Sequence, residues 1–410
     1  MTTVAAPMGC LLAGAAIDST ETLQGHLARF GLPPADPWRV VAALEQAELR
    51  GRGGAGFPAA RKWRAVADHA RLGLPAVVIA NGSEGEPCSS KDRLLLRIRP
   101  HLVLDGLRLA AEAVGATDAF IYLPHGDRDT HRVVKDAIKE RARHLAGERR
   151  PTLVTAPPRY VGGQETAAIS RIEGKAARPT YTPPFPFAQG AWGRPTLVHN
   201  VETLARAGLI ARGLDSAGLT LVTVSGAVGS PGVVEVAVGT PVATVVNAAD
   251  GVTGTPRAVL AGGYFGRWLR AETCWGLGIG TDVPLGAGVL AVVDSEHCPI
   301  AETARIVTYL AGESARQCGP CVNALPAIAE ALTQLTSLSR PRPRIDLLQR
   351  RSQEIMGRGA CRHPDGAALL VQSLLSVFED EVGRHLRKGP CSACSAPRLL
   401  PIPSSRGGWR

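Results

Sequence analysis

Short apolar segments alternate with longer amphipathic segments in the first part of the chain, and this alternation restricts the fold more than any other sequence feature. Apolar runs typical of buried strands occur at Pro75–Ala80, Ala119–Leu123 and Thr152–Thr155. Helical spacing of apolar residues is found at Pro37–Leu49, His101–Val114 and Asp129–Leu145. Strands connected by helices pair in parallel, so we expect a mainly parallel α/β sheet with helices on both faces.

The pattern changes after Gly208 and again near Ile300. Short β-rich segments and one helix predict a small α+β domain that ends near Asp294; they are Leu219–Ser225, Val233–Val236, Arg257–Leu260 and Val242–Ala249. Helical periodicity then predicts a bundle with helices at Ala301–Ala311, Leu325–Leu335 and Ala367–Leu386. The segment after Gly389 is rich in Pro, Ser and Arg, and we expect it to be disordered. The predicted boundaries are 1–215, 216–296, 297–388 and 389–410.

Composition narrows the class of protein. Hydrophobic residues make up 45% of the 410 and charged residues 20%, which is typical of a globular protein and excludes a disordered, collagen-like or coiled-coil chain. Aromatic residues form only 4%, which argues against nucleic-acid binding by base stacking. The formal net charge is +10, and the stretch from Ser337 to Arg410 holds 13 Lys or Arg against six Asp or Glu. This basic stretch is a docking surface for an acidic partner or a nucleic acid, or a consequence of arginine-rich codon usage.

Cysteine usage and the lack of targeting segments predict a cytoplasmic protein. No run approaches the ~20 apolar residues that span a bilayer, so we expect no direct membrane insertion. The apolar start, Met1–Ala16, lacks the basic region of a signal peptide. Nine cysteines include two Cys-x-x-Cys pairs, and clustered cysteines in a reducing compartment more often bind metal than form disulfides.

Three polar loops are the candidate ligand site. The glycine-rich run Gly51–Phe57 is able to bring backbone amides close to an anion, with Lys62 adding positive charge; a simple tight turn is the alternative. Asn81–Pro87 and Tyr160–Thr166 each follow a predicted strand. Ligands of open α/β sheets bind at the carboxyl ends of the strands, so we expect these loops to converge on one site.

A second candidate site consists of Cys318, Cys321 and Cys361. Thiolates are the usual ligands of iron–sulfur clusters, and Cys-x-x-Cys spacing brings two sulfurs to one metal centre. A structural zinc site or buried free thiols are the alternatives.

Motifs in a fixed order carry a resemblance to a known family. The chain resembles the NADH-binding flavoprotein subunit of respiratory complex I and the related diaphorase subunits of hydrogenases and formate dehydrogenases. The resemblance implies a Rossmann-like FMN domain, a β-grasp domain and a helical bundle with a 4Fe–4S cluster. In that family NADH passes a hydride to FMN, which releases electrons singly to the cluster. The motifs are Gly51–Phe57, Asn81–Pro87, Lys91–Arg93, Tyr160–Thr166, Pro183–Pro186, Gly190–Gly193, Asn200–Thr203 and Glu313–Cys321.

The resemblance also implies roles for individual residues. Glu86 and Glu165 are the candidate catalytic residues, and together with Phe57 and Phe185 they would line the NADH side. The three cysteines of the second candidate site would bind the cluster. The implied cofactor-binding residues are Gly51, Arg52, Gly53, Gly54, Ala55, Gly56, Phe57, Lys62, Asn81, Glu84, Tyr160, Gly163, Gln164, Phe185, Asn200 and Thr203.

Departures from the family pattern affect the cluster first. Ala315 stands where the family has its first cluster cysteine, so three thiolates remain. Two alternatives stay open: a 3Fe–4S cluster, or a 4Fe–4S cluster whose fourth ligand is not a cysteine. Cys391 and Cys394 are poor replacements, because a helix ending at Leu386 carries the chain ~30 Å away. Cys298 lies before another predicted helix and is disfavoured as the missing cluster ligand on similar grounds. We expect the tail pair to be solvated thiols, or else a second metal or redox site.

The nucleotide site departs as well. Ala65 and Thr182 replace an aromatic ring and a lysine, a loss that should weaken NADH binding by ~1–3 kcal/mol. Ser83 replaces an Asp, and Gln164 replaces a Glu and so removes a charge near the flavin. His199 stands in place of an Asn, and we expect it to be a neutral hydrogen-bonding substitute.

Two function hypotheses follow. The first is an electron-transfer flavoprotein that oxidises NAD(P)H through FMN and passes single electrons through the cluster. Its acceptor would be an acidic ferredoxin-like protein on the basic C-terminal stretch, or another redox subunit of a quinone pathway. The second hypothesis is a scaffold subunit that keeps the fold without turnover, supported by Ala65, Thr182 and Ala315. Electron flow in the reverse direction, toward NAD, also stays open.

Overall fold

The computed structural model describes residues 10–32, 36–145, 147–337, 345–404 and 408–409. These residues form two compact units. Unit 1 consists of the described residues within 10–85, 90–221 and 408–409, and unit 2 of those within 86–89 and 222–404. Nine residues of the predicted Met1–Ala16 segment lie outside the described part, as do residues 338–344, 405–407 and 410 of the basic stretch.

Unit 1 contains a four-stranded, fully parallel sheet, as the alternation of strands and helices predicts. Its strands are β1 (Ala76–Asn81), β2 (Ala116–Leu123), β3 (Thr152–Thr155) and β4 (Thr196–Asn200), in the spatial order β3-β2-β1-β4. β1 is central and five of its six residues are buried, which explains its continuous apolar sequence. Asn81, the last residue of β1, pairs with Tyr122 of β2 and Asn200 of β4, so the strand ends lie in register.

Helices precede and connect these strands. Several begin at recognisable capping residues: the Thr22 side chain accepts from Gly25 N–H at the first helix, and Asp127 accepts from Thr130 N–H at the sixth. The helices of unit 1 are α1 (Leu23–Phe30), α2 (Pro37–Gln46), α3 (Ala59–Arg71), α4 (Lys91–Ile98), α5 (Pro100–Ala113), α6 (Arg128–His144), α7 (Glu165–Ile172) and α8 (Val201–Ile210).

Unit 2 contains a five-stranded mixed sheet, in the order β6-β5-β9-β7-β8. The β5–β9 pair is parallel, whereas β7 is antiparallel to both β8 and β9. An apolar core of mainly Val, Leu and Ile residues packs between this sheet and the helix α9 (Val242–Asn247). The strands are β5 (Leu219–Gly226), β6 (Gly232–Ala237), β7 (Pro256–Ala261), β8 (Arg267–Arg270) and β9 (Val289–Asp294).

The C-terminal half of unit 2 is helical, but the single helix predicted at Ala367–Leu386 is wrong. Phe378 breaks it, with φ −117° and ψ 35°. The Phe378 ring is buried against Trp268 in an edge-on contact with ring centroids 6.4 Å apart. Three acidic residues follow at once, which favours a new helix N-terminus. The helices are α10 (Pro299–Glu313), α11 (Leu325–Leu335), α12 (Ile345–Glu354), α13 (His363–Val377) and α14 (Glu379–Lys388). None of the helices in the described part is long and apolar enough to cross a membrane.

The tail after Gly389 is ordered where the structure describes it, contrary to the expectation of disorder. Residues Ser392–Ser395 form a 3-10 turn, and Leu400 is only 1% exposed. In unit 1, Trp409 accepts a backbone hydrogen bond from Ala177, and the guanidinium groups of Arg159 and Arg178 each lie 5.2 Å from its ring centroid. Burial of apolar side chains and cation–π contacts offset the polar composition on which the expectation rested.

Candidate functional site

The glycine-rich run Gly51–Phe57 forms a closed turn. Its ends are joined by the hydrogen bond from Gly51 N–H to Phe57 O, 2.9 Å long. Gly54 and Gly56 have φ values of +106° and +62°, which few residues with a side chain adopt. The backbone from Gly53 to Ala55 is exposed. The turn therefore presents an open stretch of backbone free of bulky side chains.

This turn is attached to the end of β4 and the first turn of α8. The amide of Arg52 donates to Thr203 Oγ1 over 2.9 Å, and a Cβ added at Gly53 would lie 3.3 Å from Asn200 Cβ. The Arg52 guanidinium, buried at 6% exposure, donates to the carbonyls of Ala217 and Leu219. The Arg52 backbone and side chain, together with the Thr203 hydroxyl, thus hold the turn in place.

The loops after β1 and β3 also meet. Asn81 Nδ2 donates to Gly163 O over 2.8 Å. A Cβ on Gly85 would lie 2.5 Å from Tyr160 O, and one on Gly163 would lie 2.8 Å from Ser83 O. Only glycine permits backbones to approach this closely. The structure therefore brings together the three loops that the sequence singled out, at the carboxyl edge of the sheet of unit 1.

Two predicted cofactor-binding side chains cap helices. Glu84 accepts from the amides of Asp92 and Arg93 in the first turn of α4, at 3.1 and 3.3 Å. Gln164 Oε1 accepts from the amides of Thr166 and Ala167 at the start of α7. Capping residues lock the start of a helix, so these two side chains shape the loops around the site.

Lys62 places a cation beside these loops. Its Nζ donates to Glu165 Oε1 over 2.6 Å and to Val198 O over 2.8 Å. Burial lowers the pKa of neighbouring His199 well below its ordinary value of 6.5, and the charge of Lys62 lowers it further. His199 is therefore neutral, as predicted. Its Nε2 is buried and has no hydrogen-bond partner among the described residues.

A buried ion network lies beneath the site. Lys91 Nζ donates to Asp92 Oδ1 at 2.7 Å and to Glu202 Oε2 at 2.9 Å, and Asn200 Nδ2 donates to Asp92 Oδ2 at 2.5 Å. Burial raises the pKa of Asp92 to about 7 against the opposing effect of Lys91. For Glu202 burial acts in the same direction, but Lys91 and Arg206 outweigh it and lower the pKa. The network fixes the position of Asn200 from within the unit.

Exposed aromatic rings occur in the segments expected to bind nucleotide. Phe57 is 50% exposed and Phe185 is 48% exposed. Phe185 stacks on Phe187 with centroids 5.6 Å apart and an angle of 8° between planes, and Phe187 meets His69 edge-on. His69 is hydrogen-bonded through Nδ1 to the carbonyl of Ala65, where the expected ring is missing.

Glu86, a predicted catalytic residue, lies in unit 2. Its Oε1 accepts from Cys88 N–H at 3.2 Å and its Oε2 from Tyr264 N–H at 2.8 Å. The side chain is 8% exposed. Both oxygens accept from backbone amides, which fixes the position of the carboxylate in unit 2, and its catalytic role stays a prediction.

The three predicted cluster cysteines come together in unit 2. Cys318 and Cys321 follow α10, and the chain enters a π-helical turn at Pro320–Ala324, an irregularity frequent at functional sites. Burial raises the pKa of Cys321, and the nearby thiols of Cys318 and Cys361 raise it further. A Cβ on Gly359 would lie 2.5 Å from Cys361 O, so the approach to Cys361 needs glycine.

A second set of thiols, which includes the tail pair, lies together in unit 2 and favours the metal or redox site that was one of the two alternatives for that pair. Cys391 and Cys394 are only partly exposed, and their sulfur atoms lie with those of Cys298 and with a ring nitrogen of His385, all within 4.8 Å of one another. His385 and Cys298 were not predicted as partners of this pair. The spacing His-x5-Cys-x2-Cys was the available signal. Cys298, 93 positions before Cys391, could be found only from the fold.

Unit 1 also contains a cavity of about 850 Å³, which lies away from the three loops. Its lining includes Gly115, Ala116 and Pro151, at or before the amino-terminal ends of β2 and β3. None of the predicted site residues lines it. Its place at the amino-terminal edge of the sheet is opposite to where ligands of such sheets bind, so we assign the site by the loops.

Family models match two parts of the chain. The Nuo51 FMN-binding domain matches residues 44–208 and therefore includes all three loops of unit 1. The NADH-ubiquinone oxidoreductase-F iron-sulfur binding region matches residues 301–385, which include Cys318, Cys321 and Cys361 but not Cys298, Cys391 or Cys394.

Known proteins resemble most of the chain. A subunit of the NADH-quinone oxidoreductase of Rhizobium meliloti is 30% identical over 385 residues, 87% of this chain and 90% of that protein. The mitochondrial NADH dehydrogenase [ubiquinone] flavoprotein 1 of Dictyostelium discoideum is 31% identical over 378 residues, 85% of this chain and 79% of that protein. A crystal structure of an NAD+-reducing NiFe-hydrogenase matches with a TM-score of 0.80 and 31% identity over 86% of this chain. The match spans only 63% of that hydrogenase chain.

Proposed function

Because the chain belongs to the family of FMN- and iron–sulfur-binding subunits of NADH-quinone oxidoreductases, we propose that it is the NADH-oxidising subunit of a multi-subunit redox complex. It is an oxidoreductase subunit with FMN and an iron–sulfur cluster as cofactors and NADH as substrate. The convergence of three loops at the carboxyl edge of the parallel sheet carries this conclusion.

The residues present fit FMN. The exposed backbone of Gly53, Gly54 and Ala55 supplies amides without intervening side chains, which suits a phosphate. Lys62 adds a positive charge, and the unpartnered Nε2 of buried His199 offers a polar contact. When bound, FMN takes up two electrons together and gives them up one at a time, which connects hydride chemistry to one-electron carriers.

We assign the side chains near this site to binding and positioning. Asn81 and Asn200, held by Gly163 O and Asp92, would orient the flavin, and Tyr160 and Gly163 form the opposing loop. Phe57 and Phe185, each about half exposed, provide rings for the nucleotide. Glu165 holds Lys62 and so sets the charge beside the flavin, which makes it a positioning residue.

The thiols of unit 2 fit an iron–sulfur cluster with an incomplete set of cysteines. Cys318, Cys321 and Cys361 are near enough for their charges to interact. Ala315 supplies no donor, so we propose three thiolate ligands and either a three-iron cluster or a fourth iron held by another group. All three donors are thiolates, the usual ligands of iron–sulfur clusters.

The acceptor we propose is an acidic ferredoxin-like protein or another redox subunit of the complex. Arg316, Arg358 and Arg362 are near Cys318 or Cys361 in sequence, within three positions. The Arg362 side chain is 86% exposed. Exposed cations beside an electron-transfer site speed the approach of an acidic partner. The nine free cysteines support a cytoplasmic location.

We also propose the domain assignment 1–215 for the Rossmann-like FMN domain, 216–296 for the β-grasp domain and 297–388 for the cluster-bearing bundle. Its support is the parallel sheet of unit 1 and the mixed sheet followed by helices in unit 2. The scaffold hypothesis is not favoured, because the glycine turn, Lys62 and three thiols all remain in place.

The test is anaerobic purification followed by flavin, iron and sulfide analysis and by NADH titration. We expect about one FMN per chain, iron with sulfide, and bleaching of the flavin absorbance by NADH. Cys361→Ser should lose the paramagnetic signal of the cluster and keep the flavin. Protein without flavin or iron, or with flavin that millimolar NADH does not bleach, would favour the scaffold hypothesis.

A further inference from the structure

Four metal-ligand side chains of unit 2 meet outside the iron–sulfur region. The described residues contain one group of possible metal ligands whose ligand atoms all lie within 4.8 Å of one another. The group consists of Cys298, His385, Cys391 and Cys394. The Cys391 and Cys394 sulfurs are 3.7 Å apart. Zinc–sulfur bonds of about 2.3 Å in a tetrahedron place two sulfurs about 3.8 Å apart. The observed spacing is therefore that of ligands to one ion.

Three separate elements supply these ligands. Cys298 is the N-cap of α10, where the positive end of the helix dipole favours a thiolate. His385 lies in the last turn of α14. Gly389, with φ +87°, ends that helix in a conformation suited to glycine and redirects the chain, and the turn Ser392–Ser395 then brings Cys391 and Cys394 to the same place.

The tautomer of His385 is set by its hydrogen bonds. Its Nδ1 lies 3.0 Å from the carbonyl of Leu335, and a carbonyl only accepts, so Nδ1 carries the proton. Its Nε2 accepts from Cys391 N–H over a long 3.4 Å, so its single lone pair faces the cysteine turn, and binding of an ion would replace this hydrogen bond. A ligating histidine whose other ring nitrogen donates to a backbone carbonyl is the usual outer-shell arrangement of metal sites.

The charge of the surroundings also suits a bound cation with thiolates. Three thiolates and one divalent ion leave a net charge of −1. Arg257 interacts electrostatically with Cys298 and Cys391 and forms an ion pair with Glu381 over 2.8 Å. Cys298 and His385 are 1% and 3% exposed, so the ion would be shielded on that side.

From this geometry we propose that Cys298, His385, Cys391 and Cys394 bind one structural zinc ion, a site separate from the iron–sulfur cluster. Three cysteines and one histidine form a complete tetrahedral set with no open position, which indicates a structural and not a catalytic metal. The ion would fasten the segment that follows α14 to the start of α10. Because α10 has 15 residues and is therefore ~22 Å long, Cys298 lies far from the cysteines that follow Glu313.

Two other uses of these residues are disfavoured. A disulfide requires sulfurs about 2.05 Å apart, whereas Cys391 and Cys394 are free and 3.7 Å apart. The four ligands of a 2Fe–2S or 4Fe–4S cluster are divided among two or four irons, so some of them lie farther apart than in this set, whose ligand atoms are all within 4.8 Å.

The first measurement is metal content and zinc X-ray absorption of the full-length holoprotein purified without oxygen. We expect one zinc per chain after dialysis, surrounded by three sulfurs at about 2.3 Å and one nitrogen at about 2.0 Å. Zinc well below one per chain, iron in that coordination, or a Cys391–Cys394 disulfide found by mass spectrometry would overturn the proposal.

Variants separate the two metal sites. Cys394→Ser should lose zinc and retain iron and flavin, and Cys361→Ser should lose iron and retain zinc. Cys394→His keeps a metal ligand at this position and should retain zinc. Cys274→Ser changes a buried thiol that belongs to neither ligand set, and it should retain both metals. If Cys394→Ser does not fold, chelation of the wild-type protein decides: removal of zinc should open Cys298, Cys391 and Cys394 to alkylation. Full zinc in Cys394→Ser, or unchanged alkylation after zinc removal, would contradict the assignment.

Discussion

Replacing Glu202 with glutamine tests whether the buried ion network holds the flavin site together. Glu202 is fully buried, and its Oε1 accepts from Arg206 Nη2 and Leu221 N–H, each at 2.9 Å. Its Oε2 accepts from Lys91 Nζ, also at 2.9 Å. Glutamine keeps the size of the side chain but removes the charge that compensates three buried cations, Lys91, Arg206 and Arg52.

The expected cost is large because the partners cannot reach water. Breaking a buried ion pair by removing one charge costs about 3–5 kcal/mol. Lys91 retains Asp92, and Arg206 retains the hydroxyl and carbonyl of Ser216, so we expect the lower end, about 3 kcal/mol. For a unit of this size that corresponds to a fall in the unfolding temperature of about 6–12 °C.

Scanning calorimetry of the holoprotein measures this shift, and flavin content reports on the site. FMN retention should fall with stability, because Glu202 accepts from Lys91, which also binds Asp92, and Asp92 holds Asn200. Glu45→Gln is the matched control: its partner Arg64 is on the surface, where ion pairs contribute little, so no measurable shift is expected. Equal shifts in the two variants would refute the reasoning that burial sets the cost.

Three further predictions address other parts of the molecule. Gly85→Ala should reduce flavin retention and cost about 1–3 kcal/mol, because its Cβ would lie 2.5 Å from Tyr160 O, whereas Gly73→Ala, with no atom within 4 Å, should leave flavin retention unchanged in the same binding assay. His26→Gln should destabilise the protein more at about pH 6 than at about pH 9 in denaturant titrations. Burial lowers the pKa of His26, but Asp105 and Glu21 outweigh it, and the pKa in the folded protein is raised. The stability that protonated His26 contributes is therefore complete below pH 6.5 and is lost as the pH rises through the raised pKa. Ala315→Cys should increase iron per chain and the resistance of the cluster to air, measured by iron analysis and paramagnetic resonance; an unchanged iron content would show that another group already completes the cluster.

Local sequence patterns determined the elements that position the flavin site. The apolar run before Asn81 forms a central strand. Its sequence is apolar without alternation because both faces of the strand are buried. The helix predicted at Leu325–Leu335 has the observed bounds, since helical spacing of apolar residues reports one buried stripe. The loops after β1 and β3 could be placed together because parallel strands all end at one edge. The glycine turn lies between α2 and α3, so its place beside these loops comes from its contacts with Thr203 and Asn200.

Tertiary packing decided what local patterns could not. Phe378 stops a helix whose periodicity continues through it, because its ring is buried against Trp268, more than 100 positions earlier. Glu86 is held by the amides of Cys88 and of Tyr264, and the second of these lies far away in the sequence. The ligand set of Cys298, His385, Cys391 and Cys394 forms only because the helix break, the turn at Gly389 and the start of α10 coincide in space. Hydrophobic spacing along a chain records which face of an element is buried, but not which distant residue it is buried against.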